Sequence, residues 1–456
     1  MMELVGLGVV LVAGVLGGFA FRTPGSYGGL WGGELTVYLV AAGVAGAAYA
    51  GGVWVVRRRT RGGMLPVVLL VALAARAIVL FVPPILSTDI YRYVWDGQVQ
   101  ASGVNPYRYL PIDPALAAVR DRAAYGGEDD PRRATDIFPN INRVDTAPTI
   151  YPPLAQMLFL GVAWVAPSIW AMKAAMLALD LVTLGLGLLL LRAAGRVAAE
   201  IVVWAWNPLV IWEFAGAGHV DALAVALVAA ALLLAARGRM GWAGLAMGAA
   251  VGAKLLPAVL FPAIWRRWEW RSLAAAAAVV LGGYAAYAAV GLRVFGYLDG
   301  YAQEESLQDG GGFLVLRLLR LLGPLPGWAS TAYLVGGLGV LGGCAWWVVR
   351  RPLPLGGAAR ASVIGRGALI MAAALIAVIS PHYPWYLTIL VLPAVIVPCW
   401  SALWPTIAGP LLYLDSMRDM PVWPAVVFLP ALVLLLLDLR GPRLAPSPAL
   451  LVNGGP

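Results

Sequence analysis

The chain has 456 residues, 61% of them hydrophobic and 12% charged, with mean hydropathy +0.82 and a formal net charge of +9. A soluble chain of this length would carry charge on roughly a quarter of its residues, so a water-soluble globular protein is excluded and lipid is the expected solvent. The positive balance does not point to nucleic acid, because the arginines cluster at the ends of apolar runs: Arg57-Arg58-Arg59, Arg192/Arg196, Arg237/Arg239, Arg266-Arg267, Arg350-Arg351 and Arg440/Arg443. Loops facing the cytoplasm carry this signature in multi-pass membrane proteins.

Apolar runs fall at 4–21, 35–56, 64–82, 198–214, 221–236, 272–292, 327–349, 367–379, 385–400 and 422–438. Many approach the roughly 20 residues that cross a bilayer, and lipid demands helices, since each backbone group must be bonded internally. The fold class predicted is an all-α polytopic membrane protein with about thirteen spanning or partly spanning helices. Residues 1–83 hold the first of them. Run 4–21 lacks a basic leader and a small-residue cleavage site, so it reads as a retained anchor with a cytoplasmic N-terminus.

With Arg57 to Arg61 inside, run 64–82 leads outward and residues 84–150 form a long extracytoplasmic loop. Nine of the chain's 23 acidic residues fall between Ser87 and Ile150, against seven arginines. The loop opens on Ser87-Thr88-Asp89, which predicts a helix start, continues with a helical pattern from Ile90 to Ala101, and stops at Gly103. Short amphipathic helices are expected here.

Transmembrane helices resume over 151–292. Residues 152–191 begin outside and end inside, with Pro167-Ser168 dividing them into two helical pieces. Residues 240–263 are flanked by arginines on both sides, and a pair of half-helices with Lys254-Leu255-Leu256-Pro257 at the tip would restore parity. A second outer loop, 293–326, carries Glu304-Glu305, three glycines and an apolar stretch, Phe313 to Leu322, with Arg317 and Arg320 three apart. That pattern suits a helix lying in the membrane interface. Residues 327–440 are the C-terminal transmembrane helices, and the Pro- and Gly-rich segment 441–456 is expected to be disordered. Cys344 and Cys399 lie in separate apolar runs and imply neither a disulfide framework nor a metal cluster.

Five fragments carry chemistry in a recognisable order. They are Ser87-Thr88-Asp89 with Asn105-Pro106-Tyr107; Tyr151-Pro152-Pro153-Leu154; Asn207-Pro208 with Gly218-His219-Val220-Asp221; Ala253-Lys254-Leu255-Leu256-Pro257; and Ser380-Pro381-His382-Tyr383-Pro384-Trp385-Tyr386. In this order the chain resembles the integral-membrane glycosyltransferases of the GT-C superfamily, and more narrowly the bacterial polyprenyl-phosphate-mannose-dependent mannosyltransferases. The resemblance implies a multi-pass protein of the plasma (inner) membrane, with an extracytoplasmic active site serving the cell envelope. It further implies transfer of a hexose, mannose, from a polyprenyl-phosphate donor to a lipid or glycan acceptor. In that superfamily an aspartate at the start of the first outer loop is the catalytic base. Asp89 matches it, with two apolar runs preceding its crossing instead of none. Asp89 also suits an N-cap of the helix that follows.

Such chemistry needs one carboxylate to take the acceptor proton and cations to neutralise the departing phosphate. Candidates for donor-phosphate or substrate binding are His382, one of only two histidines; Lys254, alone in a stretch of Gly, Ala and Leu; and Arg92, Arg317 and Arg320. Arg92 equally suits a salt bridge to Asp89 or Asp96. Glu213, His219 and Asp221 cluster at an outer turn, where they can line a sugar site or cap helices. Tyr91, Tyr107, Trp385 and Tyr386 can stack on sugar or sit in an aromatic belt. No Asp-x-Asp pair appears, and Glu128-Asp129-Asp130 reads as a solvated loop. A lipid-linked donor and metal-independent, cofactor-free transfer are therefore expected, with the bilayer, donor and acceptor as partners. A transporter or flippase of lipid-linked sugar is the competing reading, and a polyprenol-binding scaffold without turnover is a third.

Overall fold

The computed structural model describes residues 1–19, 33–59, 63–123, 136–266, 269–296, 300, 310–418 and 420–440. Glu128-Asp129-Asp130, Glu304-Glu305 and the segment 441–456 lie outside them. Among the described residues the chain is all-helical with no strand. Among the described residues six helices are long and apolar enough to cross a membrane: Gly33–Arg58, Ile169–Ala193, Trp270–Phe295, Ala329–Arg350, Gly357–Ile379 and Val422–Leu439. A seventh is reached if the pair Pro208–Gly216 and Asp221–Ala236 is one bent span, and five shorter apolar helices pack among them. The protein is thus an all-helical polytopic membrane protein, built from full-length and partly spanning helices as the fold class predicted. Many outward-facing leucines, valines and tryptophans are exposed, as lipid requires.

Three breaks shape the bundle. Pro208–Gly216 meets Asp221–Ala236 at 119°. Gly218 makes that corner with φ +75, and a Cβ there would come within 2.5 Å of Ile90 Cδ1 and 3.4 Å of Lys173 Cγ. Only glycine meets both demands, the left-handed backbone and the close approach. The second break is at Lys254: Met240–Ala253 ends, Lys254 is extended at φ −156 and ψ 141, and a tight helix follows over Leu256–Leu260. The split expected for 240–263 is therefore present. The third lies at Ala166 to Ser168, between Pro153–Val165 and Ile169–Ala193, where Ser168 caps the second helix by accepting from the Ala171 amide.

Small residues set the tightest crossing. Gly244 and Gly248, four apart on Met240–Ala253, lie against Trp270–Tyr287 so closely that a Cβ would sit 2.2 Å from the Ser272 carbonyl oxygen and 2.5 Å from that of Ala276. Close backbone approach of this kind holds membrane helices together through dispersion where no hydrophobic drive exists. Gly244→Leu is expected to lower stability by at least the ~1–3 kcal/mol of overpacking, read as a reduced melting temperature in detergent. An unchanged melt would mean that the two helices separate without loss.

Charge is also buried between helices. Arg76 is 1% exposed and Asp180 fully buried; they pair through Nε at 2.6 Å, with Trp204 Nε1 donating to Asp180 at 2.8 Å and Arg76 donating to the Ala205 carbonyl at 2.7 Å. Lys173 is buried and donates to the Val79 carbonyl at 2.8 Å and to that of Val82, at the end of Met64–Leu80. Lys254 is therefore not alone as a cation in an apolar stretch: Arg76 and Lys173 lie buried on apolar helices, each with partners that satisfy it.

Candidate functional site

Asp89 begins the helix Asp89–Ala101, where its own N–H donates to Ser87 Oγ at 3.2 Å. Its carboxylate turns away from capping. Oδ1 accepts from Asn142 Nδ2 at 2.9 Å, and Oδ2 lies 3.9 Å from His219 Nδ1. The corner at Gly218 brings His219 there. Its ring stacks on Trp385 at 4.3 Å between centroids, and Trp385 stacks in turn on Tyr383 at 4.5 Å.

On the far side of the ring, Nε2 is 3.3 Å from Glu213 Oε2, without the alignment of a hydrogen bond. Glu213 is fully buried on a π-helical turn, Ile211–Gly216, and accepts from the Tyr413 hydroxyl at 3.1 Å. Turns of this kind widen a helix by one residue and concentrate at functional sites. Two residues past His219, Asp221 opens the next helix. Lys254 Nζ holds both its oxygens, at 2.7 and 2.6 Å, and lies 4.6 Å from the centre of the Tyr386 ring.

Beside this pair is a narrow cleft, lined by Asp221, Lys254 and Tyr386 at its polar end and by Val225, Val228 and Leu392 among its apolar walls.

Of the residues proposed from sequence, Asp89, Glu213, His219, Asp221, Lys254, Trp385 and Tyr386 therefore converge. The proposed phosphate ligands Arg92, Arg317 and His382 are engaged by other partners. Arg92 is buried and bonds Asp96 at 3.0 Å and the carbonyls of Asn142, Ala147 and Pro148, Asn142 being also the residue that bonds Asp89. The salt-bridge reading to Asp96 thus describes its position. Thr149 and Gln156 also donate to Asp96, so this network fastens the loop to the helix. Tyr91 is buried beside Arg92 in sequence.

Arg317 holds Asp415 with two bonds of 2.6 and 2.7 Å, both side chains buried, which fastens its helix Leu314–Arg320 to the helix Leu412–Arg418. Arg320 is exposed at the end of that helix. His382 Nε2 lies 3.2 Å from the Gly312 carbonyl, tying the loop after Gly357–Ile379 to the three-glycine segment. Tyr107 donates to the Tyr151 carbonyl at 2.8 Å. For the Arg317–Asp415 pair we expect Arg317→Ala to cost ~3–5 kcal/mol, the effect of stranding a buried charge. A double change to leucine should recover most of it in a thermal melt, and equal losses in the single and double variants would contradict this.

Sequence reasoning passed over Asn142, which aims the Asp89 carboxylate. It also passed over Arg143, a non-glycine residue at φ 55 within electrostatic range of Tyr151 and Tyr386. Neither has a signal in spacing, because the loop reaches the site from 53 residues away. Among the described residues no group of three metal-ligating side chains occurs.

Residues 2–269, more than half of the chain and holding Asp89, Glu213, His219, Asp221 and Lys254, match the family model described as alpha-(1→6)-mannopyranosyltransferase, N-terminal domain. The chain belongs to this mannosyltransferase family. No curated protein and no solved structure matches it. The matched region stops short of Trp385 and Tyr386, so in this mannosyltransferase the aromatic wall of the cluster comes from outside the family's N-terminal domain.

Proposed function

We propose that this mannosyltransferase is a GT-C-type enzyme of the plasma (inner) membrane. It moves mannose from a polyprenyl-phosphate carrier to a hydroxyl of a lipid or glycan acceptor on the extracytoplasmic face, with inversion at the anomeric carbon. The observation that carries the reading is the position of Asp89. Its side chain keeps 20% of its surface exposed, and it fronts the otherwise buried His219–Glu213 cluster, with His219 one residue past the Gly218 corner and two before Asp221.

In the proposed step the acceptor O–H bond breaks and its proton goes to Asp89. The oxygen's electron pair bonds to C1 of the sugar, and the C1–O bond to phosphate breaks with its pair leaving on the polyprenyl phosphate. A base on the face opposite the leaving group gives inversion. Lys254 would meet the phosphate: Asp221 engages two of its three N–H donors and leaves one for a ligand. The apolar residues beside Lys254, Val225, Val228 and Leu392, would face the first isoprene units.

The test is transfer in proteoliposomes, with labelled mannose offered on polyprenyl phosphate or on a nucleotide. Product from the lipid donor alone, unaffected by chelators, is expected, since the chain has no Asp-x-Asp pair. Transfer from the nucleotide donor would overturn the donor assignment. Movement of intact donor across the bilayer without new glycosidic bonds would favour the flippase reading.

A further inference from the structure

The polar chain behind Asp89 continues inward. Side-chain exposure falls from 20% at Asp89 to 1% at His219 and none at Glu213. Glu213 faces His219 and the Tyr413 hydroxyl. A carboxylate closed off from water is costly unless it is compensated, and His219 Nε2, 3.3 Å away, is the ring nitrogen that faces it. Nδ1 is left to face Asp89.

The ring cannot easily turn from that task. It is stacked on Trp385, and its backbone N–H donates to the Glu213 carbonyl at 2.9 Å. Both ring nitrogens and Glu213 Oε2 are buried and lack a well-aligned partner. Such groups are rare in folded proteins and ask for an explanation.

We propose that His219 is a positioning residue for Asp89, rather than a ligand of sugar or phosphate. Glu213 flanks the Nε2 side of the ring at 3.3 Å, Nδ1 faces Asp89 Oδ2 at 3.9 Å, a contact that closes to a hydrogen bond when the acceptor binds, and Asn142 holds Oδ1. In that complex the carboxylate is oriented from both oxygens, with a lone pair left toward the acceptor hydroxyl. Protons balance simply: the acceptor's proton ends on Asp89, and His219 and Glu213 neither gain nor lose one. This inference rests on Asp89 as the base.

Other titratable groups surround the pair. They are Tyr93 on the Asp89 helix, Tyr38 and Tyr413 near Glu213, Asp221 with Lys254, Tyr386 after Trp385, Lys173 behind Gly218, and Arg143 in the loop. All persist in a His219 variant, so a changed pH profile reports on the ring.

The experiment compares His219→Ala with His219→Asn, whose amide can donate from near the Nδ1 position, in proteoliposomes across pH. His219→Ala is expected to lower kcat by about tenfold to a hundredfold, as a misaimed catalytic group does, with the donor KM changed less than about twofold. The acid limb of kcat/KM should move to higher pH, because losing a donor to a carboxylate favours its protonated form. His219→Asn should recover much of kcat and return the limb. If His219→Ala does not fold, His219→Asn decides alone: a limb near that of the unsubstituted protein supports the proposal. A folded His219→Asn with kcat lowered a hundredfold overturns it, as does a wild-type profile in His219→Ala. A raised donor KM with unchanged kcat would return His219 to substrate binding. An active Asp89→Asn removes the base reading and this inference together, whereas an inactive Asp89→Asn beside an unaltered His219→Ala removes only the inference.

Discussion

Asp89→Asn is expected to abolish mannose transfer while the protein keeps its fold. The amide has the shape of the carboxylate and can still accept from Asn142 Nδ2, which lies 2.9 Å from Oδ1. Ser87 bonds the backbone N–H of residue 89, which the change does not touch. What disappears is the capacity to take a proton. General-base catalysis contributes about 10²–10⁴ in rate, so turnover should fall at least a hundredfold in proteoliposomes supplied with polyprenyl-phosphate-linked mannose. The melting temperature should stay near that of the unsubstituted protein. Wild-type transfer by the variant would remove Asp89 from the chemistry and leave it as the start of its helix.

Lys254 carries the second large effect, and it needs two variants. Changing Lys254 to Met alone strands Asp221, whose side chain is 7% exposed. Removing one partner of such a pair destabilises by ~3–5 kcal/mol, so lost activity would be ambiguous. Lys254→Met combined with Asp221→Asn removes both charges and should recover much of that stability. If the ammonium binds the donor phosphate, the double variant should still show a raised donor KM. A hydrogen bond to a charged group contributes ~1.5–3 kcal/mol, which corresponds to about tenfold or more in affinity. A double variant with an unchanged donor KM would make the pair a fastening between the Gly218 corner and the Lys254 break.

Much of the site was legible from short fragments because the chemistry restricts which residues it can use. Lys254 stands out since a lone ammonium in an apolar stretch is costly, and Asp89 stands out at the junction of an apolar run and a polar loop. The cations were harder. Arg92, Arg317 and Arg320 have the right group for phosphate, yet Arg92 is used up by Asp96 and loop carbonyls and Arg317 by Asp415. Guanidinium groups serve loop anchoring and phosphate binding equally well, and only contacts distinguish the two.

The two histidines make the same point. His382 stands in the more suggestive motif, but it reaches the Gly312 carbonyl, and His219 is the one beside Asp89.

From the sequence by itself followed the all-helical membrane class, the mannosyltransferase family and the proposal of Asp89 as base. Each rests on composition or on short spacing, which a chain carries before it folds. The tertiary structure alone decided which charges meet. The 119° corner at Gly218 and the break at Lys254 set Asp221 against Lys254 from 33 residues away, and the loop returns Asn142 to Asp89 from 53. Pairings over such separations depend on where helices stop and turn, and a helical period does not encode that.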